Sequence, residues 1–237
     1  MTKEMYEVNI NDRLGNLIQR MKSFSYKPLP ARRTYIPKGN GEVRPLGIPA
    51  YEDKLVQGVM AKCLNAVYKE EFLTCSYGFR KDRNCHQAIR ELNQIIMIKK
   101  VNYIVDCDIK GFFNNVNHEL LMKCVESKVK DKNFNRYIKR FLIGGVMENN
   151  TYYESNKGTP QGGLISPVLA NIYLHYAYYG ISGNLKSLYD YYLYTKEMLY
   201  WTKARRSQKS KKYRQIIDKI LKYRPLPLPK LYVSIWT

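Results

Sequence analysis

The sequence predicts an α+β fold, because helical and strand-like segments alternate along the chain and no internal repeat recurs. Helices are expected over residues 11–24, 53–72, 85–100, 118–128 and 133–143, with Asp53 as the cap of the second. Strands are expected over 33–36, 42–44 and 103–109, the first two joined by the hairpin signal Asn40-Gly41. A tyrosine-rich hairpin then precedes a helix that begins at Ser166-Pro167.

The charge of the chain predicts a nucleic-acid partner. Its 237 residues include 40 Lys and Arg against 20 Asp and Glu, a formal net charge of +20 at pH 7. A compact chain with this charge repels itself unless a polyanion balances it. No apolar run approaches the roughly 20 residues that a bilayer requires, and the first residues are too polar for a signal peptide. The sequence therefore predicts no membrane association and a cytoplasmic location.

Cysteine and histidine spacing gives no sign of a structural metal or a disulfide framework. The five cysteines are never spaced as Cys-x-x-Cys, and the three histidines form no His-x-x-x-His pair. Free thiols in a reducing compartment are the expected state.

Half of the net charge lies in residues 178–237. This segment has 13 Lys and Arg against 3 acidic residues, and it carries ten of the 22 tyrosines. Rings interleaved with cations suit stacking on bases and contact with phosphates. The alternative is a tyrosine-lined core face on amphipathic helices whose basic face is solvated.

Three clusters have residue types that suit nucleotidyl transfer. Asp106 and Asp108 end a predicted strand, where a carboxylate is either a magnesium ligand or a turn cap. Residues 158–163 form a polar loop that opens a helix, and a plain turn is the alternative. Lys38 and Arg44 flank a hairpin tip and suit a triphosphate, with arginine as a planar fork and lysine as a point charge.

Taken in order, five blocks resemble the reverse transcriptases encoded by group II introns. The blocks are Arg33-Thr-Tyr-Ile-Pro-Lys38, Arg44-Pro-Leu-Gly-Ile-Pro49, Ser76-Tyr-Gly-Phe-Arg80, Asp108-Ile-Lys-Gly-Phe-Phe113, and Thr159-Pro-Gln-Gly-Gly163 with the helix after it. The resemblance implies a right-hand polymerase with fingers and a partial palm, followed by a helical, basic maturase-like or thumb-like tail. We expect a fingers-like region over 1–100, a partial palm over 101–177 and the basic segment over 178–237.

The resemblance also implies a role for individual residues of the polymerase site. Asp108 matches a metal-binding aspartate of the palm, with the carbonyl of Ile109 beside it, and the metal of the family is Mg²⁺. The residues that match the nucleotide site are Lys38 and Arg44 for the triphosphate, Phe113 for exclusion of a 2′-hydroxyl, and Gln161 for the nascent base pair.

RNA contacts are implied on two parts of the chain. Arg80 would belong to the fingers surface that faces the template. In the tail, the residues expected to bind RNA are Lys203, Arg205, Arg206, Lys209, Lys211 and Lys212. The implied partners are structured intron RNA and template–primer nucleic acid.

One departure from the family affects the chemistry. The family's palm has a second hairpin with two adjacent aspartates, but no Asp-Asp pair occurs in this sequence, which reads as though the segment near Ala177 were joined directly to the tail. Nucleotidyl transfer uses two metals about 4 Å apart. We therefore expect this chain alone to be a weak or inactive polymerase, and a second chain that supplies the missing half of the palm is one way to complete the site.

Three interpretations stay open from the sequence. The chain is an impaired reverse transcriptase, a non-catalytic RNA-binding splicing helper, or a relic of a mobile element.

Overall fold

The computed structural model describes residues 3–39, 41–98, 109, 111–159 and 162–179. They belong to two compact units. The first comprises the described parts of Met1–Leu73 and Gly111–Tyr191, and the second those of Thr74–Lys110 and Tyr192–Thr237. Most of the strand predicted over 103–109, and the basic segment beyond Tyr179, lie outside the described residues.

A four-stranded mixed sheet organises the first unit. Strands β1 (Ala31–Pro37) and β2 (Val43–Ile48) form one antiparallel hairpin, and β3 (Val146–Glu148) and β4 (Thr151–Tyr153) form another. β1 and β3 pair in parallel, which gives the strand order β2-β1-β3-β4. The structure confirms the α+β class and both predicted hairpins. The parallel pairing that joins them is an additional finding.

The two faces of this sheet carry different side chains. Arg33 lies opposite Gly47 and Ile36 lies opposite Arg44, and successive residues of a strand point to opposite faces. One face, the Arg33 face, carries Arg33, Tyr35, Gly47, Val146, Glu148 and Tyr153. The other, the Arg44 face, carries Thr34, Ile36, Arg44, Leu46 and Tyr152.

Helices in the described residues follow the predicted pattern closely. They are α1 (Lys3–Glu7), α2 (Ile10–Lys22), α3 (Tyr51–Tyr68), α4 (Cys85–Ile98), α5 (Phe112–Asn115), α6 (His118–Lys128), α7 (Lys132–Ile143) and α8 (Ser166–Tyr179). In the first unit, side-chain caps fix the starts of α6 and α7, because the Asn117 side chain accepts from the Leu120 N–H and that of Asp131 from the Asn133 and Phe134 N–H groups. None of the helices described here has both the length and the apolar composition needed to cross a membrane.

The core of the first unit lies among α3, α6, α7 and α8. These helices contribute the fully buried side chains of Leu64, Leu121, Ile138 and Ile172. Tyr68, also fully buried, donates hydrogen bonds from its hydroxyl to the carbonyls of Cys124 at 3.0 Å and Val125 at 3.1 Å. These bonds tie α3 to α6. Helix α5 packs against the same core through the buried ring of Phe112, which lies next to Tyr173 in α8.

The extended segment between α2 and β1 is held by buried polar contacts. The Tyr26 hydroxyl donates to one oxygen of Asp53, and the Leu29 N–H donates to the other at 3.1 Å. Arg140 donates to the carbonyls of Phe24, at 3.0 Å, and of Tyr26. Burial raises the pKa of the Asp53 carboxyl, and the two hydrogen bonds that it accepts act against that rise. The segment therefore enters β1 at a fixed position.

The prediction that Asp53 caps a helix over 53–72 was wrong. Helix α3 begins at Tyr51 after Ala50 and ends at Tyr68. Asp53 lies within the first turn and is 2% exposed, because its carboxylate binds Tyr26 and Leu29 instead of the helix N-terminus.

In the second unit, local contacts hold the segment before α4 and the start of α4 itself. Asn84 and Gln87 exchange hydrogen bonds between side chain and backbone, each over 2.9 Å, which is a capping box at the start of α4. The Tyr77 hydroxyl donates to Glu91, and the Arg83 guanidinium lies 5.2 Å from the centre of the Tyr77 ring. Arg80 donates to the carbonyl of Ser76 at 2.9 Å.

We predict that Tyr26→Phe lowers the free energy of unfolding by about 1–3 kcal/mol, because Asp53 loses a hydrogen bond to its buried carboxylate. Urea denaturation measures this. The folded pKa of Asp53 lies above its unfolded value, so the carboxyl is protonated in the folded state first as the pH falls. The destabilisation caused by Tyr26→Phe should then shrink, since a neutral carboxyl needs the hydroxyl less.

Tyr35→Phe is the matched control. It also removes a tyrosine hydroxyl that donates to a carboxylate, that of Glu148, but at an exposed position. Its effect should stay within about 0.5 kcal/mol. Equal destabilisation in the two variants would show that the buried pair does not hold the segment.

Candidate nucleotide-binding site

The turn at residues 158–159 is fastened to α5 and to the start of α6. The Gly158 N–H donates to the carbonyl of Val116, and the Thr159 N–H donates to the carbonyl of Phe113, each over 2.7 Å. The ring Nε2 of His118 lies 2.6 Å from the Gly158 carbonyl and donates a third hydrogen bond. Two blocks that are far apart in the sequence, ending at Phe113 and beginning at Thr159, are therefore in direct contact.

Two positions in this region admit only glycine. Gly158 has φ +83°, and a Cβ there would lie 2.7 Å from the carbonyl oxygen of Phe113. Gly162 has φ +104°, and a Cβ there would lie 2.6 Å from the carbonyl oxygen of Gly47 and 3.0 Å from Leu46 Cδ1. L-residues with side chains rarely adopt these dihedrals. The loop thus touches α5 at one end and β2 at the other.

A cleft of about 370 Å³ lies beside this turn in the first unit. The strands line it with Arg33, Gly47, Val146 and Tyr153, all of which belong to the Arg33 face. The remaining lining residues are Phe113, Asn114, Gly145 and residues 154–159. Two rings, two cations and several amide or hydroxyl groups therefore surround one cavity.

Glu148 organises the charge on the Arg33 face. Its carboxylate accepts a hydrogen bond from the Tyr35 hydroxyl and lies 3.8 Å from Arg33 Nε. The hydrogen bond to Glu148 raises the pKa of the Tyr35 hydroxyl, so Tyr35 remains a neutral donor at physiological pH. The guanidinium of Arg33 carries five N–H donors, and its contact with Glu148 is made through Nε.

Thr159 is a lining residue of the cleft with a buried, unpaired hydroxyl. The residue is 5% exposed, and within the described part of the chain its hydroxyl oxygen has no hydrogen-bond partner. Buried hydroxyls are nearly always paired, so this position suits a polar ligand atom.

The structure separates the predicted triphosphate residues from the cleft. Lys38 extends the ladder of β1 through its N–H bond to the Glu42 carbonyl at 2.7 Å, and its ammonium lies 3.0 Å from the Glu42 carboxylate. Arg44 is exposed and belongs to the Arg44 face. Phe113 lines the cleft instead. Gly162 touches Leu46 of the Arg44 face, so the loop reaches the side of the sheet on which Arg44 lies.

The other predicted site residues are only partly described. Ile109 is half-buried, and Arg80 binds the Ser76 carbonyl in the second unit. Asp108 and Gln161 lie outside the described residues, as do Lys203, Arg205, Arg206, Lys209, Lys211 and Lys212. Sequence reasoning assigned no role to Tyr153 or to the Thr159 hydroxyl. Local signals give no reason to bring Tyr153 near Arg33, since the parallel pairing of β1 with β3 does so.

The described residues do not include a two-metal centre. Over the described ranges, no group of three or more Asp, Glu, His or Cys side chains is placed to hold a metal ion. The full sequence contains no adjacent pair of aspartates.

Gly158→Ala tests the close approach of the turn to α5. We predict that the positive φ costs about 1–2 kcal/mol and that the clash with the Phe113 carbonyl adds about 1–3 kcal/mol. Gly41→Ala is the control, because Gly41 has φ +81° and a Cβ at that position would have no atom within 4 Å. Urea denaturation of both variants isolates the clash, and equal destabilisation would contradict it.

A family profile agrees with the residue blocks. A sequence profile described as "Reverse transcriptase (RNA-dependent DNA polymerase)" matches residues 36–229. Among solved structures, one chain of a "Partial Cas6-RT-Cas1--Cas2 complex" is similar with a TM-score of 0.47 and 23% identity, covering 71% of this chain and 29% of that chain.

Curated relatives include proteins of bacteria and of yeast. "Group II intron-encoded protein LtrA" of Lactococcus lactis subsp. cremoris is 41% identical over 69% of this chain and 27% of its own length. "Protein YkfC" of Escherichia coli (strain K12) is 36% identical over 74% of this chain and 47% of its own length. An "Uncharacterized 91 kDa protein in cob intron" of Schizosaccharomyces pombe is 40% identical over 76% of this chain and 22% of its own length.

The chain thus spans between about a fifth and a half of the length of these relatives. The family match extends over most of the chain and includes both blocks that meet at Phe113 and Thr159. The chain therefore belongs to the reverse transcriptase (RNA-dependent DNA polymerase) family, in the group that includes the group II intron-encoded reverse transcriptase/maturases.

Proposed function

We propose that the chain acts as a group II intron-type reverse transcriptase that binds template–primer nucleic acid and structured intron RNA, with impaired catalysis when alone. The contact between Phe113 and the turn at 158–159 carries this proposal. It joins two family blocks through the 2.7 Å hydrogen bond from the Thr159 N–H to the Phe113 carbonyl, and the Gly158 N–H bond to the Val116 carbonyl supports it from the adjacent residues. A scaffold that positions these blocks is what a nucleotide site of this family would need.

The proposed architecture is a fingers-like region over 1–100, a partial palm over 101–177 and a basic maturase-like segment over 178–237. The β1–β2 hairpin supports the first assignment, since it carries Lys38 and Arg44 at and beside its exposed tip. The packing of α6 against α8, with the ring of Phe112 in α5 next to Tyr173 in α8, supports the second. Charge supports the third, because half of the net charge of the chain falls in this segment.

The proposed nucleotide contacts follow the resemblance and the geometry of the hairpin. Lys38 and Arg44 hold the triphosphate. The ammonium of Lys38 now faces Glu42 at 3.0 Å in an exposed pair, and such a pair is weak enough to exchange for a phosphate. Phe113 excludes the 2′-hydroxyl, Gln161 lies against the new base pair, and Arg80 faces the template.

The proposed magnesium site lacks part of the ligand set that the family uses. Asp108 and the main-chain carbonyl of Ile109 would hold one Mg²⁺, since carboxylate and carbonyl oxygens are the ligands that this ion prefers. The paired aspartates that complete the site in the family are absent from the sequence. A second chain that carries them is the proposed way to restore polymerase chemistry.

We predict little or no cDNA from this chain in primer extension on an RNA template with magnesium. One aspartate cannot hold two metal ions in the geometry that in-line transfer uses. Robust cDNA that disappears in Asp108→Ala, but persists in the exposed helix variant Asp12→Ala, would contradict this prediction.

RNA binding should be steeply salt-dependent. Removing one phosphate contact lowers the slope of log K against log salt by about one, so Arg205→Gln with Arg206→Gln should lower it by about two. A mobility shift with structured intron RNA across a salt titration measures the slope. The charge-matched control is Lys3→Gln with Lys22→Gln, which removes two basic residues at the other end of the chain. A flat salt response in the unmodified chain would argue for a relic without RNA binding.

A further inference from the structure

Two exposed tyrosine rings lie on the Arg33 face, and one of them, Tyr153, lines the cleft. Tyr35 is 50% exposed and Tyr153 is 54% exposed. Tyr153 lines the cleft, and the Tyr35 hydroxyl is bonded to Glu148 on the neighbouring strand. Large rings on a solvent-facing sheet offer flat surfaces on which planar groups stack.

These rings lie on the opposite side of the sheet from the proposed triphosphate contact. Arg44 is paired with Ile36, whereas Arg33 is paired with Gly47, and residues three apart in a strand point to opposite faces. The proposed roles in nucleotide binding do not use Tyr35, Tyr153 or Thr159. The Arg33 face is therefore a further candidate surface, and its cleft shares the lining residue Phe113 with the proposed nucleotide site.

The charges near the rings nearly cancel. Glu148 is shared between Arg33, at 3.8 Å, and the Tyr35 hydroxyl. Lys157 and Glu154 both line the cleft and are both exposed. This balance gives little attraction for a phosphate backbone. It favours a ligand that binds through planar faces and polar edges.

The cleft can accept a polar edge. Its volume of about 370 Å³ lies in the range of small-ligand sites. The buried Thr159 hydroxyl has no partner among the described residues, and the amides of Asn114 and Asn156 belong to the same lining. Unpaired nucleobases combine a face that stacks with an edge that hydrogen-bonds.

We propose that the Arg33 face binds single-stranded RNA by stacking unpaired bases on Tyr35 and Tyr153, with a base edge directed to the cleft at Thr159. RNA is favoured over a peptide because the chain's net charge of +20 concentrates RNA around it. Duplex RNA does not fit this mode, because its base faces are covered by their neighbours. Stacking also predicts a binding component that resists salt.

Cross-linking locates the contact on the full chain. Oligouridine that contains 5-bromouridine is irradiated with the protein, and peptides joined to RNA are identified by mass spectrometry. We expect the cross-link at Tyr35 or Tyr153. Cross-links at other residues and at neither tyrosine would overturn the proposal. The same result is expected if this face binds a protein partner instead of RNA.

The contribution of stacking is measured as the affinity for unstructured single-stranded RNA at about 200 mM salt, where the phosphate contacts are weakened. Tyr35→Ala and Tyr153→Ala should each weaken binding by about 5- to 150-fold, and Tyr153→Phe should bind as the unmodified chain does. Tyr152→Ala is the matched control, because Tyr152 is 50% exposed on the same strand and belongs to the other face.

The outcomes separate this proposal from the proposed function. Unchanged binding in Tyr153→Ala, or equal weakening in Tyr152→Ala, would overturn the stacking surface and leave the salt-dependent binding of intron RNA untouched. Urea denaturation of each variant confirms that the weaker binding does not come from unfolding. If the affinity for structured intron RNA does not depend on salt while the tyrosine variants still weaken the binding of single-stranded RNA, the result argues against the proposed function and not against this surface.

Discussion

The close approach of Gly158 to the backbone of Phe113 and Asn114 is the constraint on which the site depends. Any side chain at this position would lie within 3 Å of the α5 backbone. Because the contact is made between main chains, the turn lies at a fixed distance from α5, and α5 stands on the helices of the core. The cleft wall, the position of Thr159 and the course of the loop toward β2 all follow from it.

The mixed sheet divides the possible functions of the first unit between two faces. The Arg44 face carries an exposed arginine near the hairpin tip and is reached by Gly162, which suits a phosphate-bearing ligand. The Arg33 face has balanced charge and exposed rings, which suit bases. Under the two proposals made above, the phosphates and the bases of RNA would contact different faces of one sheet.

Much of the fold could be predicted from local signals, and what was missed depends on contacts distant in sequence. The hairpin at Asn40-Gly41, the helix at Ser166-Pro167 and the α6 boundaries come from residues adjacent in the chain. Asp53 was mistaken for a cap because its partner, Tyr26, lies 27 residues earlier. The combination of side chains on the Arg33 face was not predicted, because the parallel pairing of β1 with β3 is what brings the two hairpins together. Lys38, Arg44 and Phe113 were singled out by residue blocks, but the blocks do not reveal that the sheet separates Arg44 from the cleft.

Hydrogen exchange at the amides of Gly158 and Thr159, followed by NMR, tests the central contact most directly. Both N–H groups donate over 2.7 Å to carbonyls of the α5 region. We predict that they exchange at least about a hundredfold more slowly than in an unstructured peptide, since opening requires the turn to leave the core. Exchange at the rate of a free loop, with the amides of α6 still protected, would contradict this central contact.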